Sequence, residues 1–131
     1  MGRLDGKVAF VTAAGGAIAG ATARLFGAEG ASVACVDIVE ENVQRTAADI
    51  NEAGGKAIAL TCDVTDDDAV KAAVDRSVSG FGKIDVLFNA AAYSEQRHRL
   101  ADMPVDMWKN VIEVNLTGMF IVARHVIPQM Q

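Results

Sequence analysis

VAFVTAAGGAIAGATARLFGAEG, residues Val8–Gly30, divides into three parts. Val8–Val11 is a short apolar run, and Thr12–Ala19 is a turn of mostly small residues. The remainder carries apolar side chains at helical spacing. The first strand is expected at about Lys7–Val11 and the helix at about Ala17–Glu29, with Ile18, Ala21, Leu25 and Ala28 on one face. Gly30 is a natural C-terminal stop.

A strand that feeds a helix through a tight turn presents backbone N–H donors at the helix N-terminus, where a pyrophosphate can be held. Glycine suits such a turn because it lacks Cβ and tolerates positive φ. Two common phosphate patterns do not fit. G-x-G-x-x-G is absent, and Gly15–Gly20 opens like a phosphate loop but continues Ala21-Thr22 where that loop needs lysine.

Outward from this stretch, strands and helices alternate. The second strand is expected at Ser32–Val36, ending in Asp37. A helix over about Glu40–Ala53 follows, lined by Val39, Val43, Ala47 and Ile50 and stopped by Gly54-Gly55. The third strand is Lys56–Cys62. Thr65-Asp66-Asp67-Asp68 has the form of a capping box opening a third helix, striped by Val70, Val74, Val78 and Phe81. Gly82-Lys83 turn the chain into a fourth strand, Ile84–Phe88. Asn89–Met103 reads as a loop, and Pro104 opens a last helix to about Ile127, with Trp108, Val111, Ile112, Asn115, Met119 and Val122 on one face. Near-continuous apolar strands between helices predict an α/β protein with a parallel sheet covered on both faces and right-handed crossovers.

A chain of 131 residues is one domain at most. Its net charge of −5 and its lack of a basic patch argue against nucleic acid or an anionic membrane as partner. Cys35 and Cys62 stand apart, without disulfide or zinc spacing, and are expected as small buried side chains in a reducing, cytoplasmic setting. His98 and His125 have no ligand companions and are expected in solvent. Asp66–Asp68 reads as a solvated helix start, not a metal site. Ala21-Thr22-Ala23 imitates a signal-peptidase site, but Asp5, Gly15 and Gly16 interrupt the required pattern. No apolar run is expected to reach membrane-spanning length.

Thr12–Ala19, T-A-A-G-G-A-I-A, resembles in frame the T-G-x-x-x-G-x-G turn of the short-chain dehydrogenase/reductase family, with alanine at all three glycine positions: Ala13, Ala17 and Ala19. Asp37 stands where NAD-preferring members place an acid for the adenosine ribose. Asp63-Val64 is similar to the family's adenine-side pair. Asn89-Ala90-Ala91-Ala92 resembles its N-N-A-G segment, departing at Ala90 and Ala92, and Trp108–Gly118 closely matches the helix that carries its catalytic asparagine, here Asn115. The resemblance covers the whole chain and the N-terminal half of the family's usual domain.

The resemblance implies a partial NAD(P)-binding Rossmann domain over residues 1–131, with strand order 3-2-1-4 and truncated before the family's remaining strands. It implies cofactor contacts from Thr12, Ala13, Gly15, Gly16, Ala17, Ile18, Asp37, Ile38, Asp63, Val64, Asn89, Ala90, Ala91 and Val114. Asn115 would bend its helix and hold a water of the proton relay. NAD is expected over NADP, because an acid at Asp37 repels a 2′-phosphate. Each position also has a plainer reading: Asp37 as an acid before a helix, Asp63 as a cap, Asn89 as a tie between strand and neighbour. Any of Ala13, Ala17 or Ala19 that must be left-handed costs about 1–2 kcal/mol and weakens NAD binding.

The family's chemistry also uses a serine and a Tyr-x-x-x-Lys pair. The one tyrosine, Tyr93, is followed four residues later by Arg97 and lies in the loop after the fourth strand. It is therefore not the family's tyrosine, and the chain by itself is expected to be inactive. An intact parent would oxidise a small secondary alcohol or reduce a ketone. The competing reading is a degenerate module that keeps the fold for binding or association. The fourth strand would be an open apolar edge, and the last helix would expose Val111, Ile112, Met119 and Val122. A homo-oligomer or a missing C-terminal half would supply the cover.

Overall fold

Four parallel strands pair in the order β3-β2-β1-β4: β1 is Val8–Thr12, β2 Ser32–Asp37, β3 Lys56–Thr61 and β4 Val86–Phe88. The computed structural model of the chain describes residues 2–94 and 97–131. The helices are α1 Ala17–Ala28, α2 Glu40–Glu52, α3 Asp67–Phe81, α4 Val105–Ile112 and α5 Gly118–Val126. The strand order and the parallel pairing match the sequence expectation. Strand boundaries move by one or two residues, and β4 shortens to three.

Alternation along the strands sorts their side chains to two faces. Phe10, Ala34 and Val36 pack with Val70 and Val74 of α3 and with Ile121, Val122 and Val126 of α5. Ala9, Val11, Val33 and Cys35 pack with Ala19 and Ala23 of α1 and with Val43, Ala47 and Ile50 of α2. Both faces of the sheet are thus covered. Cys35 and Cys62 are buried and free, in different core clusters.

At the start of the β1–β4 pair, Asp85 binds Val8 twice. Its N–H donates to the Val8 carbonyl at 2.8 Å, and its carboxylate accepts the Val8 N–H at 2.8 Å. Register then runs Ala9 to Val86 and Val11 to Phe88. Among the described residues, no strand pairs with the other edge of β4.

Several helix faces differ from the even spacing read in the sequence. The buried face of α1 is Ala19, Gly20, Ala23 and Gly27, while Ile18 is 78% exposed, Leu25 59%, and Ala21 and Ala28 also face out. The small residues win because α1 lies close to its neighbours. A Cβ on Gly27 would come within 2.7 Å of Ile50 Cγ2. Val39 precedes α2 and is exposed. The N-cap of α3 is Asp66, not Thr65: its carboxylate accepts the Ala69 N–H at 3.0 Å. Pro104 lies just before α4 rather than in its first turn.

The last helix departs most. Between α4 and α5, Glu113–Thr117 form a π-helical turn. An inserted residue rotates the downstream half of the helix by about 100°, so no single 3.6-residue stripe spans it. Val122 is buried, whereas Trp108, Ile112, Leu116 and Phe120 form an outward row. Val105–Met130 is also one 26-residue helical run with a window of mean hydropathy 1.3, long and apolar enough to cross a membrane. This corrects the expectation that no segment reaches that length. Here its inner side chains, Ile121, Val122 and Val126, belong to the core. His125 is also not in solvent. Its Nε2 lies 2.8 Å from the Asp67 carboxylate and its side chain is 17% exposed, tying α5 to the first turn of α3.

Candidate functional site

The turn after β1 is held from three sides. Ala13 has φ 55°, the only positive φ among the described non-glycine residues. The next N–H, of Ala14, donates to the Val36 carbonyl at 3.0 Å, and the Thr46 hydroxyl of α2 donates to the Ala14 carbonyl at 2.8 Å. Gly15 N–H donates to Asp37 Oδ2 at 2.9 Å, and Gly16 N–H to the Ala13 carbonyl at 2.9 Å. A Cβ on Gly15 would meet Asn42 Cβ at 2.6 Å, so this position requires glycine.

Gly16 is the N-cap of α1, with extended backbone and no side-chain cap. Ala17 and Ile18, the first two residues of α1, are exposed. Their N–H groups belong to the first turn, whose donors have no intrahelical acceptor, and they present a positive helix end to the space above the turn. Ala17 and Ala19 have helical backbone, so the left-handed cost falls on Ala13 alone.

A cleft of about 570 Å³ opens beside this turn, at the C-terminal ends of the strands. Ala13, Gly15 and Gly16 of the turn line it, together with Asp37, Ile38, Asp63, Val64, Ala91 and Val114. Of the residues named from the sequence, these nine are brought together. Thr12, Ala17, Ile18, Asn89, Ala90 and Asn115 do not line the cleft. Asp37 uses both carboxylate oxygens on its own surroundings, accepting Gly15 N–H and, at 2.9 Å, Val39 N–H. Asp63 accepts the N–H and hydroxyl of Thr65 at 2.9 and 2.7 Å.

Thr12 and Asn115 hold the backbone of the lining residues Ala91 and Tyr93, and Asn89 ties the segment before them to the last helix. The buried Thr12 hydroxyl accepts the N–H groups of Ala90 and Ala91 at 2.8 and 3.0 Å. Asn89 Nδ2 donates to the Met119 carbonyl at 3.0 Å, so its tie runs to the last helix; its buried Oδ1 has no hydrogen-bond partner among the described residues. Asn115, within the π turn, accepts the Tyr93 N–H at 2.6 Å and donates to the Tyr93 carbonyl at 3.0 Å. These bonds satisfy a polar amide that would otherwise be costly among apolar neighbours.

The sequence reading missed Thr46, Asn42, Asn110 and Glu113. Thr46 carried a signal: a hydroxyl beside the apolar stripe Val43, Ala47 and Ile50 needs a partner once buried. Asn42, Asn110 and Glu113 are cleft-lining polar residues with no local pattern to mark them. Among the described residues, the charged side chains lining the cleft are Asp37, Asp63 and Glu113, all acidic. Cys62 also lines it, but burial, with Asp63 and Asp66 adding to the effect, pushes its thiol up to about 11. Burial pushes Cys35 to about 12, against a small opposing pull from Arg24. Neither is a thiolate at neutral pH.

A family model described as short chain dehydrogenase matches residues 7–131. An uncharacterized oxidoreductase, YxbG, of Bacillus subtilis (strain 168) is 38% identical over 130 residues, covering 99% of this chain and 48% of that protein. The short-chain reductase protein NovJ of Streptomyces niveus is 44% identical over 124 residues, covering 92% and 47%. Among solved structures, an NAD+-bound xylitol dehydrogenase superposes with TM-score 0.93 at 42% identity, covering 98% of this chain and 49% of that one. Carveol dehydrogenase from Mycobacterium avium in complex with NAD gives TM-score 0.94 at 27% identity, covering 99% and 51%. The chain spans about half the length of the curated relatives it matches. With its 3-2-1-4 sheet and its strand–turn–helix, the chain belongs to the short-chain dehydrogenase/reductase family.

Proposed function

We propose that this chain forms the NAD-binding part of an alcohol or ketone oxidoreductase. The carrying observation is the cleft itself. It is lined both by a glycine-containing turn at a helix N-terminus without a side-chain cap and by an acid at the end of β2. The space over Gly15 and Gly16 and the first N–H groups of α1 fit a pyrophosphate. Asp37 fits an adenosine ribose by accepting from its hydroxyls, and the acidic lining disfavours a 2′-phosphate. Asp63, Val64 and Val114 would flank the adenine in the cleft that Ala91 also lines. When bound, NAD supplies the hydride acceptor for oxidation of a secondary alcohol.

Proton transfer would need a general acid/base that this chain does not offer in family form. Tyr93 lies in the loop after β4, its backbone held by Asn115. Asn115 is the family's remaining catalytic position, and here it positions backbone. The experiment is a fluorescence titration with NADH, with NADPH as comparison. Saturable binding with NADH preferred supports the reading; no binding of either, by a folded chain, overturns it.

A second reading is a binding or association module, favoured by the outward row Trp108, Ile112, Leu116 and Phe120 and by the open edge of β4. In that reading a second copy, or a C-terminal half, covers these surfaces. Light scattering tests self-association. Leu116→Glu with Phe120→Glu should lower the apparent mass of a self-associated chain, and a monodisperse wild-type monomer counts against association of copies.

A further inference from the structure

We propose that Thr46 is a positioning residue that holds the phosphate turn in shape against the strain of an alanine at position 13. Its consequence for ligand binding rests on the cofactor reading above. Ala13 occupies the left-handed region at φ 55°, where an L side chain is disfavoured and persists when its surroundings over-determine it. The peptide after Ala13 is the part to be restrained. Ala14 is fully buried, and its two polar groups are tied to different elements: N–H to the Val36 carbonyl of β2 at 3.0 Å, carbonyl to the Thr46 hydroxyl of α2 at 2.8 Å.

Thr46 is itself fixed. It is 1% exposed, and its hydroxyl also lies 3.3 Å from the Asn42 carbonyl. Arg24 Nη2 of α1 reaches the hydroxyl at 3.5 Å, while the same guanidinium pairs with Asp49 of α2 at 2.7 Å. Gly20 leaves room for this junction: a Cβ there would come within 3.1 Å of the Ala14 carbonyl oxygen and 3.0 Å of Arg24 Nη1. Turn, α1 and α2 therefore meet at one hydroxyl. With glycine at position 13 the turn would adopt its φ freely and need this tie less.

The test is a double-mutant cycle in the 131-residue chain. Thr46→Val keeps shape and removes the hydroxyl; Ala13→Gly removes the strain. Thr46→Val should reduce the folding equilibrium constant about threefold more in the Ala13→Gly background than in wild type, because the strained wild-type turn escapes to another conformation once the hydroxyl is gone, which caps the loss. It should also speed amide exchange at Gly15 and Gly16 more than at β1, with Thr46→Ser restoring protection. Should Thr46→Val not fold, amide exchange at Gly15 and Gly16 in Ala13→Gly and Ala13→Gly/Thr46→Val is the readout, with little change expected because an unstrained turn keeps its shape. Additive effects in the cycle, or a large speeding of exchange in the glycine background, overturn the proposal. NADH affinity should fall about tenfold in Thr46→Val, as expected when the competent turn is only about a tenth populated. If wild type binds no NADH, the cofactor reading fails, while the stability cycle still decides the role of Thr46.

Discussion

The side chain of Asn115 grips the backbone of Tyr93 at both of its polar groups, accepting N–H at 2.6 Å and donating to the carbonyl at 3.0 Å. A helix side chain thereby stands in for a strand neighbour and fixes the loop after β4. Each such bond contributes about 1 kcal/mol net. Asn115→Ala should therefore cost about 2 kcal/mol in urea unfolding. Asn115→Asp should not rescue it, since an ionised carboxylate cannot donate to the Tyr93 carbonyl. Wild-type stability in Asn115→Ala would show that this grip contributes nothing.

Ala13 and Ala19 should respond oppositely to glycine. Ala13 is left-handed, so Ala13→Gly should raise stability by about 1 kcal/mol, the strain relieved less the added freedom of the unfolded chain. Ala19 is buried in the first turn of α1, and Ala19→Gly should cost about 1 kcal/mol. Thermal melts of the two variants separate these outcomes. Any gain in NADH affinity should follow Ala13→Gly alone.

Asp37 places its carboxylate on the Gly15 and Val39 N–H groups while lining the cleft. Asp37→Asn keeps an acceptor but removes the charge. Parallel NADH and NADPH titrations should show the preference shifting toward NADPH by about tenfold, the scale of a contact between like charges. An unchanged ratio would mean that Asp37 does not face the 2′ position.

The Val8 N–H, followed by Lys83, holds the Asp85 carboxyl below its ordinary value. A folded-state pKa below the unfolded one adds stability above about pH 4 that is lost as pH falls through the folded value. Asp85→Asn should lower stability at pH 7 and flatten the loss below about pH 4. Urea midpoints across that range provide the check, and parallel pH curves for the two proteins would contradict it.

Cys35 and Cys62 should resist a disulfide reagent at pH 8 in the folded chain, since burial raises both thiols to about 12 and about 11. Both should react once denaturant opens the core. A rapid two-thiol burst without denaturant would contradict this burial.

Local pattern predicted a parallel sheet, because Val8–Val11, Ser32–Val36 and Ile84–Phe88 are apolar runs bounded by turns, and such runs between helices pair in parallel; the strand order came with the family resemblance. The family resemblance carried by the sequence motifs pointed to Asp37, Asp63 and Val64, which the structure gathers along one cleft. What local pattern misjudged depended on neighbours distant in sequence. Ile18 and Leu25 matched helical spacing, yet α1 turns its small residues inward because Ile50 of α2 approaches Gly27. The π turn at Glu113–Thr117 reset the phase of the last helix, so Trp108 and Val122 part company. Of three alanines in glycine places, only tertiary structure decided which one is strained. Ala17 and Ala19 lie inside α1, whereas Ala13 must bend the chain between β1 and a peptide tied to both β2 and α2.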